Sequence, residues 1–228
     1  MTSNKILLGI DIGTQAVKVL AVGLDGRVLA QTGVERGPQH PHPGWVEMDA
    51  GQDLWGPVVQ CLQKLFGSSD INPQDIGVVG VCALVPCLCA LDEVGNPVGK
   101  VILYSDNRAL EELEWVNQTA GLNLTAEAVI PKLVWIRSHH PELFKRIHTI
   151  FSVQNFVVYR MTGARRVDYD TAGILGGIFN PATKTWREDV FKKLDLPFSF
   201  LPQLSPATGL VGTITSEASQ QTGLPVGI

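Results

Sequence analysis

The chain opens with an apolar strand that delivers a carboxylate into a glycine-containing turn. Residues Lys5–Ile10 are rich in Ile and Leu, and the segment D-I-G-T follows at 11–14. A second apolar run, Ala16–Gly23, is typical of the next strand, and the Asp25-Gly26 pair after it suits the primed turn of a β-hairpin. With Val28–Val34 as a third strand, the sequence predicts an antiparallel three-stranded meander at the N-terminus.

Helices and strands alternate after this meander. Asp49 is a suitable N-cap for a helix over Gln52–Phe66, and Ile76–Ala83 is typical of a buried strand. Two later apolar runs, Ile174–Phe179 and Leu210–Ile214, also predict strands. A meander followed by alternating helices and strands indicates an α/β fold with a mixed sheet.

Composition limits the classes of partner. The 228 residues are 45% hydrophobic and 18% charged, which suits one large globular domain or two small ones. A net charge of -4 gives no basic footprint for nucleic acid or for an anionic membrane. The longest apolar stretch, 78–91, contains Gly80 and Pro86 and is too short to span a bilayer. The N-terminus has no signal-peptide pattern, so we expect a cytoplasmic protein with no nucleic-acid or membrane partner.

The four cysteines could be mistaken for a metal site. Cys82, Cys87 and Cys89 lie close together in the apolar stretch, and Cys61 stands apart. Their spacing does not form the paired C-x-x-C pattern of zinc sites, and no histidine lies nearby. We therefore expect buried, reduced thiols, with a metal or redox role as the alternative.

The turn at 11–14 carries the chemistry that the sequence suggests most sharply. Gly13 permits a positive φ or a close backbone approach, and Thr14 and Gln15 offer polar groups and backbone N–H donors. Lys18 adds a positive charge on the following strand, and Asp11 is a carboxylate that could hold Mg²⁺. This combination predicts a phosphate cradle beside a metal-binding carboxylate. The alternative is a hairpin whose Asp and Gly merely suit the turn geometry.

Six ordered segments of the chain resemble those of one family. Beside L-G-I-D-I-G-T-Q-A-V-K at 8–18, they are P-G-W-V-E-M-D at 43–49, G-V-C at 80–82 with A-L-D at 90–92, V-I-L-Y-S-D-N-R at 101–108, P-K-L-V-W-I at 131–136, and R-M-T-G at 160–163 with D-Y-D-T-A at 168–172. Together they resemble the FGGY carbohydrate kinases of the actin-like ATPase superfamily, which include xylulokinases and glycerol kinases. The resemblance implies one actin-like, ribonuclease H-like domain over residues 1–228 that binds a sugar and is incomplete at its C-terminal end.

The resemblance also implies roles for the residues of the N-terminal turn. In such kinases ATP phosphorylates a hydroxyl of a sugar or polyol, and two domains close over the substrates. Asp11 would be the catalytic residue that organises Mg²⁺ and the transferring phosphate. Gly13, Thr14, Gln15 and Lys18 would contact the phosphates of ATP. A second domain, which this chain does not include, would supply most of the nucleotide pocket.

The implied sugar pocket departs from the family pattern. The family often has Gln-Met-His or, in the glycerol kinases, Gln-Arg-Glu where this chain has Leu84-Val85-Pro86. Val and Pro side chains offer a polyol no hydrogen bond, which argues against glycerol and weakens a strict xylulose assignment. By resemblance, Val85 and Pro86 line the pocket, and Tyr104 replaces a Trp that packs against the substrate.

Two charged residues could complete that pocket. By position, Asp106 and Arg108 could bond sugar hydroxyls. The alternative is that Asp106 is a helix N-cap and that Arg108 is a surface partner of Glu111 or Glu112. The sequence leaves both interpretations open.

The last seven residues, T-G-L-P-V-G-I, resemble a segment that leads into a strand ending in G-D-x-x-A. In the family, that Asp is the general base for the attacking hydroxyl. The chain stops before it, so we expect no kinase activity from this polypeptide alone. A missing strand would also leave a sheet edge exposed, which predicts self-association or a partner.

The sequence therefore supports one leading hypothesis and two alternatives. The leading one is the N-terminal domain of an ATP-dependent kinase for a pentulose or related sugar. The first alternative is a non-catalytic sugar-binding or regulatory module of the actin-like superfamily. The second is a different actin-like ATPase, such as a chaperone-like or filament-forming domain.

Overall fold

The computed structural model describes residues 5–228. Its main sheet begins with β1 (Ile6–Ile12), β2 (Ala16–Gly23) and β3 (Val28–Glu35), which pair antiparallel in sequence order. A later strand, β5 (Ile76–Ala83), pairs parallel with β1 on the other side. The order β3-β2-β1-β5 confirms the predicted meander and the mixed sheet.

Short strands and helices surround this sheet. The short strands are β4 (Glu47–Met48), β6 (Cys89–Leu91), β7 (Val101–Ile102), β8 (Thr149–Phe151), β9 (Arg166–Asp168), β10 (Phe179–Asn180), β11 (Thr185–Trp186) and β12 (Gln203–Ser205). The α-helices are α1 (Gly56–Ser68), α2 (Leu110–Ala120), α3 (Val129–His139), α4 (Pro141–Phe144), α5 (Val153–Thr162), α6 (Tyr169–Ile174), α7 (Glu188–Lys193) and α8 (Ser216–Thr222). No helix in residues 5–228 combines the length and apolar character needed to cross a membrane.

One face of the sheet is buried under helices. Strand β1 alternates strictly between buried and exposed residues, as expected when one face packs on a core. Helix α1 supplies the opposing apolar face, and a π-helical turn over Ala50–Trp55 leads into it. As predicted, Asp49 caps this helical segment, because its carboxylate accepts hydrogen bonds from the N–H groups of Gly51 and Gln52. Burial of this apolar face holds the meander and α1 together.

A second core lies beyond the main sheet. It joins α2, α3 and α7 to the β6–β8 pair through large apolar side chains. Its centre includes Val116, Leu133, Ile150 and Phe191. The turn after β5 leads from the first core to the second, because Cys87 packs in the first and Leu88 in the second. The candidate site lies there.

The other face of the main sheet and the outer edge of β5 are open. Leu7 is 39% exposed and Val78 is 46% exposed on this face. Within the described residues β5 pairs only with β1, so its outer edge carries no strand. A groove of about 530 Å³ follows that edge, between β5, α5 and the segment 205–212.

Two strand predictions are wrong. Residues Ile174–Phe179 do not form a strand, because α6 ends at Ile174 and the positive φ of Gly176 and Gly177 breaks the extended run. Only Phe179–Asn180 pairs there, with Thr185–Trp186. Residues 210–214 form no strand either, although the N–H of Ile214 does donate to the carbonyl oxygen of Ile228.

The prediction for the cysteines is correct for three of them. Cys61, Cys87 and Cys89 are buried free thiols. Cys82 is exposed, because alternate residues of β5 point to the open face of the sheet. In the described residues, no cluster of His, Cys, Asp or Glu could hold a metal ion by itself.

Candidate phosphate and sugar site

Asp11 lies on the open face, near the end of β1. The strand register sets it directly opposite Lys18 of β2 and beside Cys82 of β5. The thiol Sγ of Cys82 is 3.6 Å from Oδ1 of Asp11. Burial, reinforced by the charge of Asp11, raises the pKa of the Cys82 thiol. The three strands β2, β1 and β5 therefore present an ammonium group, a carboxylate and a neutral thiol side by side.

The turn after Asp11 is tight. The N–H of Gly13 donates to the carbonyl oxygen of Ala16 over 3.0 Å. A Cβ atom at Gly13 would lie 3.4 Å from that same oxygen, and Gly13 does not adopt a positive φ. A distance of 3.4 Å is an ordinary van der Waals contact, so neither a positive φ nor crowding by the backbone requires glycine here, and a close approach of a ligand to Gly13 stays a prediction. Thr14 is half-buried and Gln15 is exposed at the tip of the turn.

Arg36 stabilises this turn and is not among the residues that the sequence predicts for the site. Its Nη1 donates to the carbonyl oxygen of Thr14 over 2.5 Å, and its Nε donates to the carbonyl oxygen of Asp53 over 2.8 Å. Its backbone N–H donates to the carbonyl oxygen of Gln15. Burial lowers the pKa of Arg36, and the charge of Asp53 opposes that shift. An Arg at the end of a strand is common, so no pattern in the sequence pointed to this role.

A second turn, residues 84–88, lies beside the first. The N–H of Leu84 donates to the carbonyl oxygen of Ile12 over 2.9 Å, so the turns after β1 and β5 are joined. Val85 and Pro86 are half-buried, and the peptide bond between them is cis. The carboxyl ends of adjacent parallel strands meet at one edge of a sheet, where ligands of α/β proteins commonly bind. The two groups of predicted site residues, 11–18 and 85–86, therefore come together.

Tyr104 belongs to the same region. It lies in the turn that follows β7 and is half-buried. Both Tyr104 and Leu84 pack against the core beneath the main sheet. A backbone hydrogen bond joins Tyr104 to the thiol of Cys87, so Tyr104 lies beside the turn that the sequence assigned to the sugar pocket.

Asp106 and Arg108 pair with each other inside the protein. Asp106 is 1% exposed, and its two carboxylate oxygens accept from Nε and Nη2 of Arg108 over 2.9 and 2.7 Å. Arg108 also donates to Glu47 over 2.8 Å, and its guanidinium lies 3.7 Å from the ring centre of Trp45. The ring centre of Trp135 lies 5.1 Å from the same guanidinium.

This pairing corrects both parts of the second interpretation, in which Asp106 caps a helix and Arg108 is a surface partner of a glutamate. Asp106 does not cap α2, which begins at Leu110 after Ala109. Arg108 is no surface partner of Glu111 or Glu112, because Asp106 and Glu47 hold it in the interior. The carboxylate oxygens of Asp106 and the Nε and Nη2 groups of Arg108 are engaged by protein groups. A direct bond from either residue to a sugar stays a prediction.

The family implies Mg²⁺, and the residues around Asp11 fit that ion in part. Mg²⁺ is commonly held by one or two carboxylates together with the phosphates of the substrate. Asp11 is one such carboxylate and faces the open side of the sheet. Its neighbours in the described residues do not complete a protein cage. This donor set suits an ion that arrives with a nucleotide.

Comparisons with known proteins agree with this geometry. The N-terminal domain model of the FGGY family of carbohydrate kinases matches residues 6–228. A xylulose kinase of Staphylococcus xylosus is 27% identical over 96% of this chain and 46% of its own length. A glycerol kinase of Trichormus variabilis is 24% identical over 99% of this chain and 47% of its own length. The chain therefore spans about half the length of the curated relatives it matches.

Solved structures show the same fold. The xylulose kinase of Rhodospirillum rubrum superposes with a TM-score of 0.89 at 30% identity, over 98% of this chain and 48% of that one. A gluconate kinase of Lactobacillus acidophilus, at 21% identity, superposes with a TM-score of 0.86 over 97% of this chain and 46% of that one. The mixed sheet with its N-terminal meander is thus the actin-like ATPase fold. The chain belongs to the FGGY family of carbohydrate kinases.

Proposed function

We propose that this chain is the sugar-binding domain of an ATP-dependent kinase that phosphorylates a hydroxyl of a pentulose or related sugar. One observation carries the proposal. The hydrogen bond from Leu84 to Ile12 joins the turn beside the Asp11 carboxylate to the turn of Val85 and Pro86. A sugar held at the second turn would therefore present a hydroxyl near a phosphate held at the first. Phosphoryl transfer depends mainly on such positioning and on neutralising charge.

Each residue of the first turn has a distinct task in this proposal. Asp11 orients the metal-bound phosphate, and Lys18 balances negative charge from the neighbouring strand. Backbone N–H groups around Gly13, Thr14 and Gln15 contact phosphate oxygens. When bound, Mg²⁺ neutralises the charge that develops on the transferring phosphoryl group. Arg36 keeps the turn in shape from the buried side.

The second turn sets the class of substrate. Leu84, Val85 and Pro86 give an apolar wall, and the half-buried ring of Tyr104 gives an aromatic one. Such walls suit the C–H face of a sugar and leave its hydroxyls to groups elsewhere. Glycerol has little apolar face and relies on hydrogen bonds, so we expect a ketose to be preferred to glycerol.

ATP is bound mainly by a second domain in this proposal, and the chain alone is inactive. The 228 residues contain no G-D-x-x-A segment to supply the general base. We therefore expect sugar binding without ATP turnover from this polypeptide by itself. Titration with D-xylulose, followed by an assay for ADP release, tests both halves of that statement.

The decisive experiment measures ATP-dependent phosphorylation by the complete natural gene product that contains these residues. We expect ADP formation with D-xylulose or D-ribulose, and little with glycerol. The absence of turnover across a panel of ketoses, aldoses and polyols would overturn the proposal. Turnover with glycerol but not with ketoses would overturn the proposed preference for ketoses and leave the proposed kinase activity standing.

A non-catalytic sugar-binding or regulatory module is the second candidate. The observation that favours it is the apolar sequence of residues 84–86 at the sugar turn. This candidate predicts that the complete gene product binds a sugar and never hydrolyses ATP, even at saturating Mg²⁺. Sugar-stimulated ADP release decides between the two candidates.

We also infer that the free edge of β5 pairs with a second copy of this chain. The edge carries unpaired backbone groups, and the adjacent groove is lined partly by Asn155. The side-chain oxygen of Asn155 is buried and accepts no hydrogen bond within the described residues. An added strand would supply an N–H donor to it and would cover Val78.

A further inference from the structure

A lysine lies where an apolar side chain would be expected. Helix α3 is buried along residues 129–136, in the second core. Lys132 stands in the middle of that run and is 0% exposed. A buried ammonium group is costly unless it is paired with a carboxylate. Within the described residues Lys132 forms no salt bridge, so a gain in stability does not account for it.

The ammonium group of Lys132 contacts two loops. Its Nζ donates to the carbonyl oxygen of Tyr104 over 3.3 Å and to that of Glu127 over 3.1 Å. Tyr104 lies in the turn between β7 and α2, and Glu127 lies in the loop between α2 and α3. One ammonium group therefore links two segments that are separated by the whole of α2.

The charge of Lys132 also reaches a third loop. It interacts with Cys87, which ends the turn of Val85 and Pro86, and with Asp106 beyond Tyr104. Burial lowers the pKa of Lys132 to about 8, and the negative charges of Asp106 and Glu127 oppose that shift. Arg108 is the nearby cation and lowers the pKa further. The ammonium group therefore bonds directly to the loop that carries one wall of the proposed sugar site, Tyr104, and lies near the turn that carries the other.

We propose that Lys132 is a positioning residue for the sugar site, which it shapes by tying the Tyr104 turn to the loop at Glu127. This inference rests on the proposed function, because it assumes that Tyr104 faces the sugar. Lys132 itself touches no ligand, since its side chain is fully buried. It holds the backbone of Tyr104, and the ring of Tyr104 makes the contact.

The test uses the three tyrosines as probes. The chain is labelled with 3-fluorotyrosine, which gives fluorine resonances for Tyr104, Tyr159 and Tyr169. Tyr104→Phe identifies the resonance of Tyr104. D-xylulose and D-ribulose are then titrated into the wild type and into Lys132→Met. The variant keeps the length of the side chain and removes both hydrogen bonds.

We expect the sugar to shift the Tyr104 resonance of the wild type. In Lys132→Met that resonance should broaden or move before any sugar is added, while those of Tyr159 and Tyr169 stay in place. The affinity for the sugar should fall about tenfold, the loss expected for one hydrogen bond. Lys145→Met is the matched control, because Lys145 is exposed and pairs only with Glu142. It should bind the sugar as the wild type does.

Different outcomes overturn different statements. A wild type that binds neither sugar overturns the proposed function and, with it, this role of Lys132. A wild type that binds, with a Lys132→Met variant that binds equally and keeps the Tyr104 resonance, overturns only the role of Lys132. If Lys132→Met does not fold, Lys132→Gln retains a donor for one carbonyl oxygen. Its affinity should then fall by less than tenfold, and an unchanged affinity would again count against the proposal.

Discussion

The backbone N–H of Leu84 donates a hydrogen bond of 2.9 Å to the carbonyl oxygen of Ile12. This bond extends the parallel pairing of β1 and β5 by one step beyond the sheet. It fixes the distance between the turn that carries the carboxylate and the turn that forms the apolar wall. A change in the position of either turn should therefore also displace the other.

Asp11→Asn should abolish most phosphoryl transfer and leave the fold intact. Asp11 is exposed, and within residues 5–228 its carboxylate has one side-chain hydrogen-bond partner, the thiol of Cys82, so its loss removes little packing. We expect kcat of the complete gene product to fall by about 10²–10³-fold, the usual loss of a group that organises transition-state charge. Asp70→Asn, at an exposed position, is the control. Full activity in Asp11→Asn would exclude this role.

Arg36→Met should loosen the first turn. The substitution removes the guanidinium group and, with it, the two hydrogen bonds to the carbonyl oxygens of Thr14 and Asp53. We expect a loss of about 3 kcal/mol in the free energy of unfolding. Urea denaturation measures it, with the exposed Arg27→Met as a control that should change by less than about 0.5 kcal/mol. Equal effects in the two variants would contradict the bracing role.

Arg108→Met should destabilise the protein by more than the loss of a surface ion pair does. It leaves the Asp106 carboxylate buried without its partner, which typically costs about 3–5 kcal/mol. The double variant Asp106→Asn with Arg108→Met should recover part of that loss, because the Asp106 charge is then removed and only the Glu47 carboxylate is left without Arg108. Lys145→Met breaks only an exposed pair and should cost less than about 1 kcal/mol. Additive losses in the double variant would argue against coupling of Asp106 and Arg108.

The stability of the protein should depend on pH through Lys132. Its pKa is about 8 in the folded protein and near 10.5 when unfolded, so the unfolded chain binds the proton more tightly. Stability contributed by this residue therefore rises with pH between about 8 and 10.5. The pKa of Cys87, raised to about 12 by burial, acts in the opposite direction above about pH 9.

Comparison with Lys132→Met isolates the lysine, because both proteins retain Cys87. Between pH 7 and 10 the wild type should gain about 2 kcal/mol relative to the variant. Urea denaturation at each pH gives the difference. A constant difference across this range would show that the pKa of Lys132 is not lowered in the folded protein.

Val78→Lys should suppress self-association through β5. Val78 is exposed on the open face, and a lysine on an edge strand disfavours the addition of another strand. Sedimentation velocity over a range of concentrations should show a dimer for the wild type and a monomer for the variant. Val94→Lys, at an exposed turn after β6, is the control and should dimerise as the wild type does. A wild type that stays monomeric at high concentration would rule out this contact.

Local signals were sufficient for the elements that depend on neighbouring residues. The meander follows from alternation and from the Asp25-Gly26 turn, and the helix after Asp49 follows from its cap and its apolar spacing. The failed prediction at 174–179 has a local cause too, since Gly176 and Gly177 adopt conformations that a strand does not use. The prediction of a strand there was wrong because it rested on apolar content alone.

Long-range contacts could not be derived from local patterns. Arg36 reaches Thr14 across 22 positions, and Arg108 reaches Glu47 across 61. No spacing rule connects such residues, because the contact depends on how the strands and loops pack. The same holds for Lys132, which reaches Tyr104 across 28 positions.

The sequence by itself determined the family, the meander and the residue types of the phosphate turn, because each depends on short segments of the chain. Only the tertiary structure decided which residues meet. It buried Asp106 and Arg108 as an ion pair, exposed Cys82 beside Asp11, and joined the turns of Ile12 and Leu84. The physical reason is that burial and hydrogen bonding are settled by packing between distant segments, which the order of residues does not display.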